Sequence, residues 1–154
     1  MTDRDGPGIF LPPPLMFAAA VAVGVLVDGN VLQWRHVTHS SQFAGIGVAV
    51  AGLALIIVSL GLFRRFHTRP EPWQPSTALI RSGIYRFSRN PMYLGMAVLS
   101  AGVALYFESI AAFILLAAVI LVIDRYVIAR EEAYLAETFG ADYASYRAKV
   151  RRWL

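Results

Sequence analysis

Cysteine is absent from the 154 residues, which excludes disulfides, thiolate metal sites and cysteine nucleophiles. Charge is scarce: 16% of residues are Asp, Glu, Lys or Arg, against about 25% in soluble globular proteins. The three histidines, His36, His39 and His67, form no HExxH pattern and stand at no ligand spacing with carboxylates, so no metal site is expected. The N-terminal residues 1–14 lack a basic leader and a clean cleavage site, so no removable signal peptide is read there. Internal repeats and low-complexity segments are also missing. What is abundant is apolar surface: 57% of residues are hydrophobic, with a mean hydropathy of +0.55.

The apolar residues fall into four runs, over residues 13–32, 43–63, 91–107 and 109–128. A membrane-spanning helix needs about 20 mostly apolar residues, and somewhat fewer serve in a helical hairpin. The fold class is therefore all-α, a multi-pass membrane protein of one domain with about four transmembrane helices. The third and fourth runs are separated by almost nothing at Glu108, so they form a tight antiparallel hairpin. With four spans, all but one of the 14 basic residues fall on one side, the exception being Arg35. The positive-inside rule then places both termini, the loop 64–90 and the tail 129–154 in the cytoplasm, in a prokaryote at the inner membrane. The net charge of +4 is explained by these flanks rather than by nucleic acid, which is not an expected partner.

Polar residues concentrate at two places near the cytoplasmic boundary. The first is RSGIYRFSRNPMYLG, Arg81 to Gly95. Pro91 suits the first position of a helix and Asn90 its N-cap, so the third span begins there. Its positive end attracts carboxylates, with Arg86 and Arg89 just before it and Tyr85 and Tyr93 on either side. The second is Arg130-Glu131-Glu132, where paired carboxylates sit at a membrane boundary at a desolvation cost. A hairpin brings the two clusters together in one cytoplasmic pocket. Beyond them, Leu135 and Phe139 keep helical spacing and Gly140 ends or breaks that helix. Residues 141–154 read as a second amphipathic helix, with Tyr143, Tyr146 and Val150 on one face and a basic end suited to anionic lipid. Trp34, Trp73 and Trp153 read as interface anchors. Asp28, near the far end of the first span, reads most simply as a carboxylate that reaches water, and Asp124 and Arg125 as partners of neighbouring helices. The glycines and alanines from Gly45 to Gly61 read as close helix packing.

GIYRFSRNPMYLG (Gly83 to Gly95), followed after the hairpin by EEAYLAETFGADYASYR (Glu131 to Arg147), resembles the isoprenylcysteine carboxyl methyltransferase family, related to the phospholipid N-methyltransferases. The resemblance covers roughly the C-terminal half, residues 68–153. One departure is Asn90, a position that is His in many members; Asn hydrogen-bonds but exchanges no proton near neutral pH. The resemblance implies an integral membrane enzyme that transfers a methyl group from S-adenosylmethionine to a lipophilic or lipid-linked acceptor, whose reacting atom (O, N or S) stays open. It implies Arg89 and Glu131 as catalytic residues, and Tyr85, Asn90, Pro91, Tyr93, Glu131 and Glu132 as the cofactor site. In that reading the helix start at Asn90-Pro91 takes the cofactor carboxylate, and Glu131 and Glu132 take its cationic groups or ribose hydroxyls. Tyr85 and Tyr93 face the sulfonium, and Arg89 grips a carboxylate with two parallel hydrogen bonds. Two competing readings are a small transporter using Asp28 as a proton-coupled site and a non-catalytic membrane adaptor. Oligomeric state stays open.

Overall fold

The computed structural model describes residues 12–32, 38–71 and 74–154. Arg4, Trp34, Arg35, His36 and Trp73 lie outside them. The described chain is all-helical. Helix α1 (Pro13–Leu26) runs into a π-helical turn (Val27–Leu32), and α2 spans His39–Arg65. A 3₁₀ turn at Gly83–Arg86 precedes α3 (Pro91–Tyr106). Helix α4 (Ile110–Val122) passes through a second π-helical turn (Ile123–Ile128) into α5 (Ala129–Lys149). Three helical stretches are long and apolar enough to cross a membrane, beginning at Pro13, His39 and Ile110; α3, with 16 residues, is a shorter apolar helix. Large apolar side chains such as Phe43, Ile46, Val50 and Ile57 stand exposed along α2. A run of that kind is stable only against lipid.

Helix α2 lies along α3, and the glycines of both helices explain how closely. A Cβ on Gly52 would stand 2.2 Å from the Leu99 nitrogen, and one on Gly102 would stand 2.3 Å from the Ala49 nitrogen. Lipid offers no hydrophobic drive for helix association, so backbone approach of this kind supplies van der Waals contact in its place. The expected small-residue packing thus holds at Gly45 and Gly52, whereas Gly47 and Gly61 face open space. The turn between α3 and α4 is as tight as expected, with Glu108 at a φ of 48°. The two helices it joins nevertheless find their main partners elsewhere. Helix α1 packs along α4 and also meets α3, and its buried Phe17 joins Tyr93, Leu116, Ile123, Val127 and Ile128 in one core cluster.

Asp28 does not reach water. It is 1% exposed, and its Oδ2 accepts from Ser109 Oγ (2.6 Å) and from the Ala111 amide (3.0 Å). It therefore satisfies one amide donor that the first turn of α4 cannot bond internally, while its Oδ1 has no partner among the described residues. On the same side, Glu108 Oε1 accepts from both the amide and the hydroxyl of Thr38, tying the start of α2 to the α3–α4 turn.

Gly140 breaks α5 as expected, at φ 50° and ψ −121°. A Cβ there would meet nothing within 4 Å, so the requirement for glycine is conformational and not one of space. The chain beyond the kink departs from expectation. The helix stops at Lys149, Val150 is extended, and the last residues form no helix. They fold back across the start of α3: the Arg89 amide donates to the Arg151 carbonyl (3.0 Å), and Asn90 Nδ2 donates to that of Arg152 (3.0 Å). These long-range contacts satisfy the backbone of the extended residues after Val150.

Candidate active site

The loop after α2, the start of α3 and the first turns of α5 enclose a polar pocket at one end of the bundle. Tyr85, Arg89, Asn90, Tyr93, Glu131 and Glu132 all line it, so the two polar clusters read from the sequence do converge. Pro91 is buried directly behind them as the first residue of α3. Asn90 occupies the N-cap position but does not cap. Its side chain turns to the Arg152 carbonyl, and its own amide donates to Ser88 Oγ (3.1 Å). The first amides of α3 therefore keep no side-chain partner.

The two carboxylates of α5 have different fates. Glu132 is fully committed: Oε1 accepts from Arg89 Nη2 at 2.6 Å, and Oε2 from Arg152 Nη2 at 2.6 Å. Arg89 is committed too, its Nη1 donating to the carbonyls of Arg147 and Val150 (3.1 Å each). The expected two-pronged grip of Arg89 on a bound carboxylate is thus already used within the protein. Its Nε stays buried without a partner among the described residues. Arg152, which sequence reasoning placed on an interfacial helix, is the centre of this network. It also reaches Asp124 (Nη1–Oδ1 3.2 Å), to which Trp153 Nε1 donates (2.9 Å). Bonding to Glu132 first, then to Asp124, raises the Arg152 guanidinium above its ordinary pKa. Arg130 points away and stacks on the Tyr126 ring, 4.0 Å from its centre.

Among the described residues Glu131 has one partner, the Tyr93 hydroxyl, which donates to Oε1 at 2.7 Å. Burial pushes its carboxyl up to about 7; the Tyr93 hydrogen bond opposes the rise and the neighbouring Glu132 adds to it. It is a carboxylate whose charge is sensitive near neutrality and which has bonding capacity to spare. Around it stand tyrosines the sequence reading had not assigned to the site. Tyr143 and Tyr146, read as one face of a helix and as part of the family pattern, line the pocket, as does Tyr134. Burial pushes the Tyr143 hydroxyl up to about 12, and raises Tyr85 and Tyr146 as well, so all three stay protonated. Tyr146 donates to the Tyr85 carbonyl (2.7 Å), fixing the kinked half of α5 onto the 3₁₀ turn. The spacing of Tyr143 and Tyr146, three apart on one face, was the available signal.

A second cavity adjoins the first. It is an apolar groove of about 890 Å³ between α1 and α2 over α3, lined by residues such as Phe17, Val21, Ile56, Leu60, Met96 and Val103. The polar pocket is tighter, about 110 Å³. The two share Pro70, Glu71, Met92 and Tyr93 in their walls. Asp28 lines neither.

Fold and site together define a class: an all-helical integral membrane protein with a carboxylate- and tyrosine-lined pocket at one end of its bundle, opening to a groove among the apolar helices. The particular family comes from comparison. The family model described as phospholipid methyltransferase matches residues 40–142, and the chain belongs to that family of membrane methyltransferases. It is 33% identical over 72 residues to the protein-S-isoprenylcysteine O-methyltransferase of Schizosaccharomyces pombe, across 47% of this chain and 30% of the yeast enzyme's length. It is 41% identical over 63 residues to an uncharacterised protein of Haemophilus influenzae, across 41% of this chain and the whole of that protein. The resemblance carried by the two motifs is borne out by these matches. No solved structure matches the chain.

Proposed function

We propose that the protein transfers a methyl group from S-adenosylmethionine to a lipophilic acceptor whose polar head reaches the pocket while its apolar part lies in the groove. The observation that carries the reading is the Tyr93–Glu131 pair, standing where a polar pocket opens into an apolar groove of membrane depth. The groove lies between α1 and α2 over α3, so the first half of the helical hairpin forms its floor, and it supports entry of the acceptor from the bilayer.

The donor set suits the cofactor. Glu131, with one oxygen to spare, and the surrounding tyrosine rings favour a cation. The unpartnered Arg89 Nε and the uncapped start of α3 at Asn90-Pro91 favour a carboxylate. Glu132, paired with two arginines, holds the walls together and is not a cofactor ligand in this reading; Arg89 does the same with all but one of its donors. Bound there, the cofactor supplies a methyl already activated on a sulfonium. What remains for the chain is alignment and exclusion of water. Tyr93 orients Glu131, and the arginine network holds α3, α5 and the C-terminal residues as one rigid frame. The pocket lies on the basic side of the membrane, so both termini and the site face the cytoplasm, in a prokaryotic inner membrane.

The test is methyl transfer. Full-length protein reconstituted in lipid is given S-adenosylmethionine labelled in the methyl group, together with a bacterial lipid extract. Label entering an organic-soluble product, and lost in Glu131→Ala, is the expected result. No transfer to any lipophilic fraction by folded protein overturns the proposal.

A further inference from the structure

Glu71 belongs to no motif of the sequence and has no part in the network just described. It lines both cavities at their junction, together with Pro70, Met92 and Tyr93. Its Oε2 is buried and has no hydrogen-bond partner, and it makes no ion pair among the described residues. Arg69 of the same loop donates instead to Gln74 Oε1 (2.7 Å). A buried carboxylate oxygen without a donor costs free energy, and such an exception in a native fold asks for a missing partner. Glu131 lines the polar pocket but not the groove. Two arginines line the pocket, and neither bonds to Glu71 among the described residues: Arg89 is paired with Glu132 and Arg69 is held by Gln74. In the wall that the two cavities share, Glu71 is the one charged side chain among the described residues.

We infer that Glu71 selects the acceptor: it receives a hydrogen bond from a head group that carries a proton (hydroxyl, amine or thiol) at the end of an apolar chain lying in the groove, and it refuses a carboxylate head. The inference rests on the proposed function for the meaning of the groove but concerns only the acceptor side. The groove's volume of about 890 Å³ falls within the roughly 300–1,000 Å³ of small-molecule sites. Its walls are almost wholly apolar, so the head group alone distinguishes one occupant from another. Like charge set against a carboxylate with one buried, unpartnered oxygen discriminates between head groups.

Methionine methyl groups supply the probe. Met92 lines both cavities and Met96 lines the groove, whereas Met16 lines neither. Full-length protein labelled with ¹³C at the methionine methyls, in nanodiscs and without cofactor, is titrated with octanol, octylamine and octanoate. The account expects saturable shifts of Met92 and Met96 with octanol and octylamine, an unmoved Met16, and octanoate weaker by about tenfold or more. Glu71→Gln should abolish the distinction between octylamine and octanoate while octanol still binds. Glu71→Asp, which keeps the charge, should retain the order. Octanoate binding as well as octylamine to the natural protein, or discrimination that survives in Glu71→Gln, overturns the inference. Because no cofactor is present, its failure is separate from failure of the methyltransferase reading, which a cofactor titration measures.

Discussion

The two ends of the bundle bury carboxylates by different means. At one end Asp28, in the π-helical turn after α1, is buried with its Oδ2 held by a hydroxyl and a backbone amide, and it lines neither cavity. At the other, Glu132 is clamped between two arginines, while Glu131 keeps a single tyrosine and faces a pocket. Burial alone does not separate structural from functional carboxylates. Spare bonding capacity beside a cavity does: Asp28 Oδ1 is also buried without a partner among the described residues, but Asp28 lines neither cavity, whereas Glu131 and Glu71 do. The transporter reading needed Asp28 to be the reactive group; Asp28 lines neither cavity and binds Ser109 and the Ala111 amide at the start of α4.

The comparison can be broken at several points. The largest effect is expected where neither end is touched. Gly52→Leu or Gly102→Leu forces a side chain into backbone at 2.2–2.3 Å, costing about 3 kcal/mol or more, and should leave little monodisperse protein on size exclusion in detergent. Next, Arg89→Ala strips a side chain that is 10% exposed from a Glu132 that is 8% exposed. Breaking such a pair costs about 3 kcal/mol, and it frees the last residues. Trypsin should then cleave at Arg151 and Arg152 well before the helices, a change that limited proteolysis reads directly.

Glu131 should show opposite signs in stability and binding. Its pKa is raised from 4.5 to about 7 in the fold, so the folded protein holds that proton more tightly than the unfolded chain. This stabilising contribution is present in full below about pH 4.5 and is lost as the pH rises through about 7. Glu131→Gln, which needs no proton, should therefore melt higher than the natural protein at pH 8 and no higher at pH 4.5. Cofactor affinity should run the other way, weakening about tenfold from pH 8 to pH 6 as the carboxylate is protonated, and should be flat over that range in Glu131→Gln. The smallest effect belongs to the other end. Asp28→Asn keeps an acceptor for Ser109 and Ala111 and should cost about 1 kcal/mol, read as a modest fall in melting temperature with no change in ligand binding.

Much of the fold was legible because membrane burial writes itself in long apolar runs and charge-poor stretches. The first span, the tight turn at Glu108 and the break at Gly140 were placed from those signals and from glycine's tolerance of positive φ. The convergence of Arg89, Asn90 and Tyr93 with Glu131 and Glu132 followed from the span order. What the sequence did not show is which donors are already spent. Nothing local indicates that Glu132 is shared by Arg89 and Arg152, or that the Arg89 guanidinium is used on carbonyls near the C-terminus. Residues 150–154 were misread because apolar spacing continues through Val150, while the backbone contacts to Arg89 and Asn90 that end the helix are long-range. Asp28 was misread for a similar reason, since its partners Ser109 and Ala111 lie about 80 residues away. Glu71 stands in a proline-rich loop with no periodicity, and only its position between two cavities marks it.

The most direct test of the central claim is calorimetric titration of S-adenosylmethionine into full-length protein in nanodiscs at pH 8, with Glu131→Gln and Asp28→Asn alongside. Saturable binding to the natural protein and to Asp28→Asn, weakened at least about tenfold in a folded Glu131→Gln, is the predicted result. Folded natural protein that does not bind, or binding that survives intact in Glu131→Gln, would contradict the account.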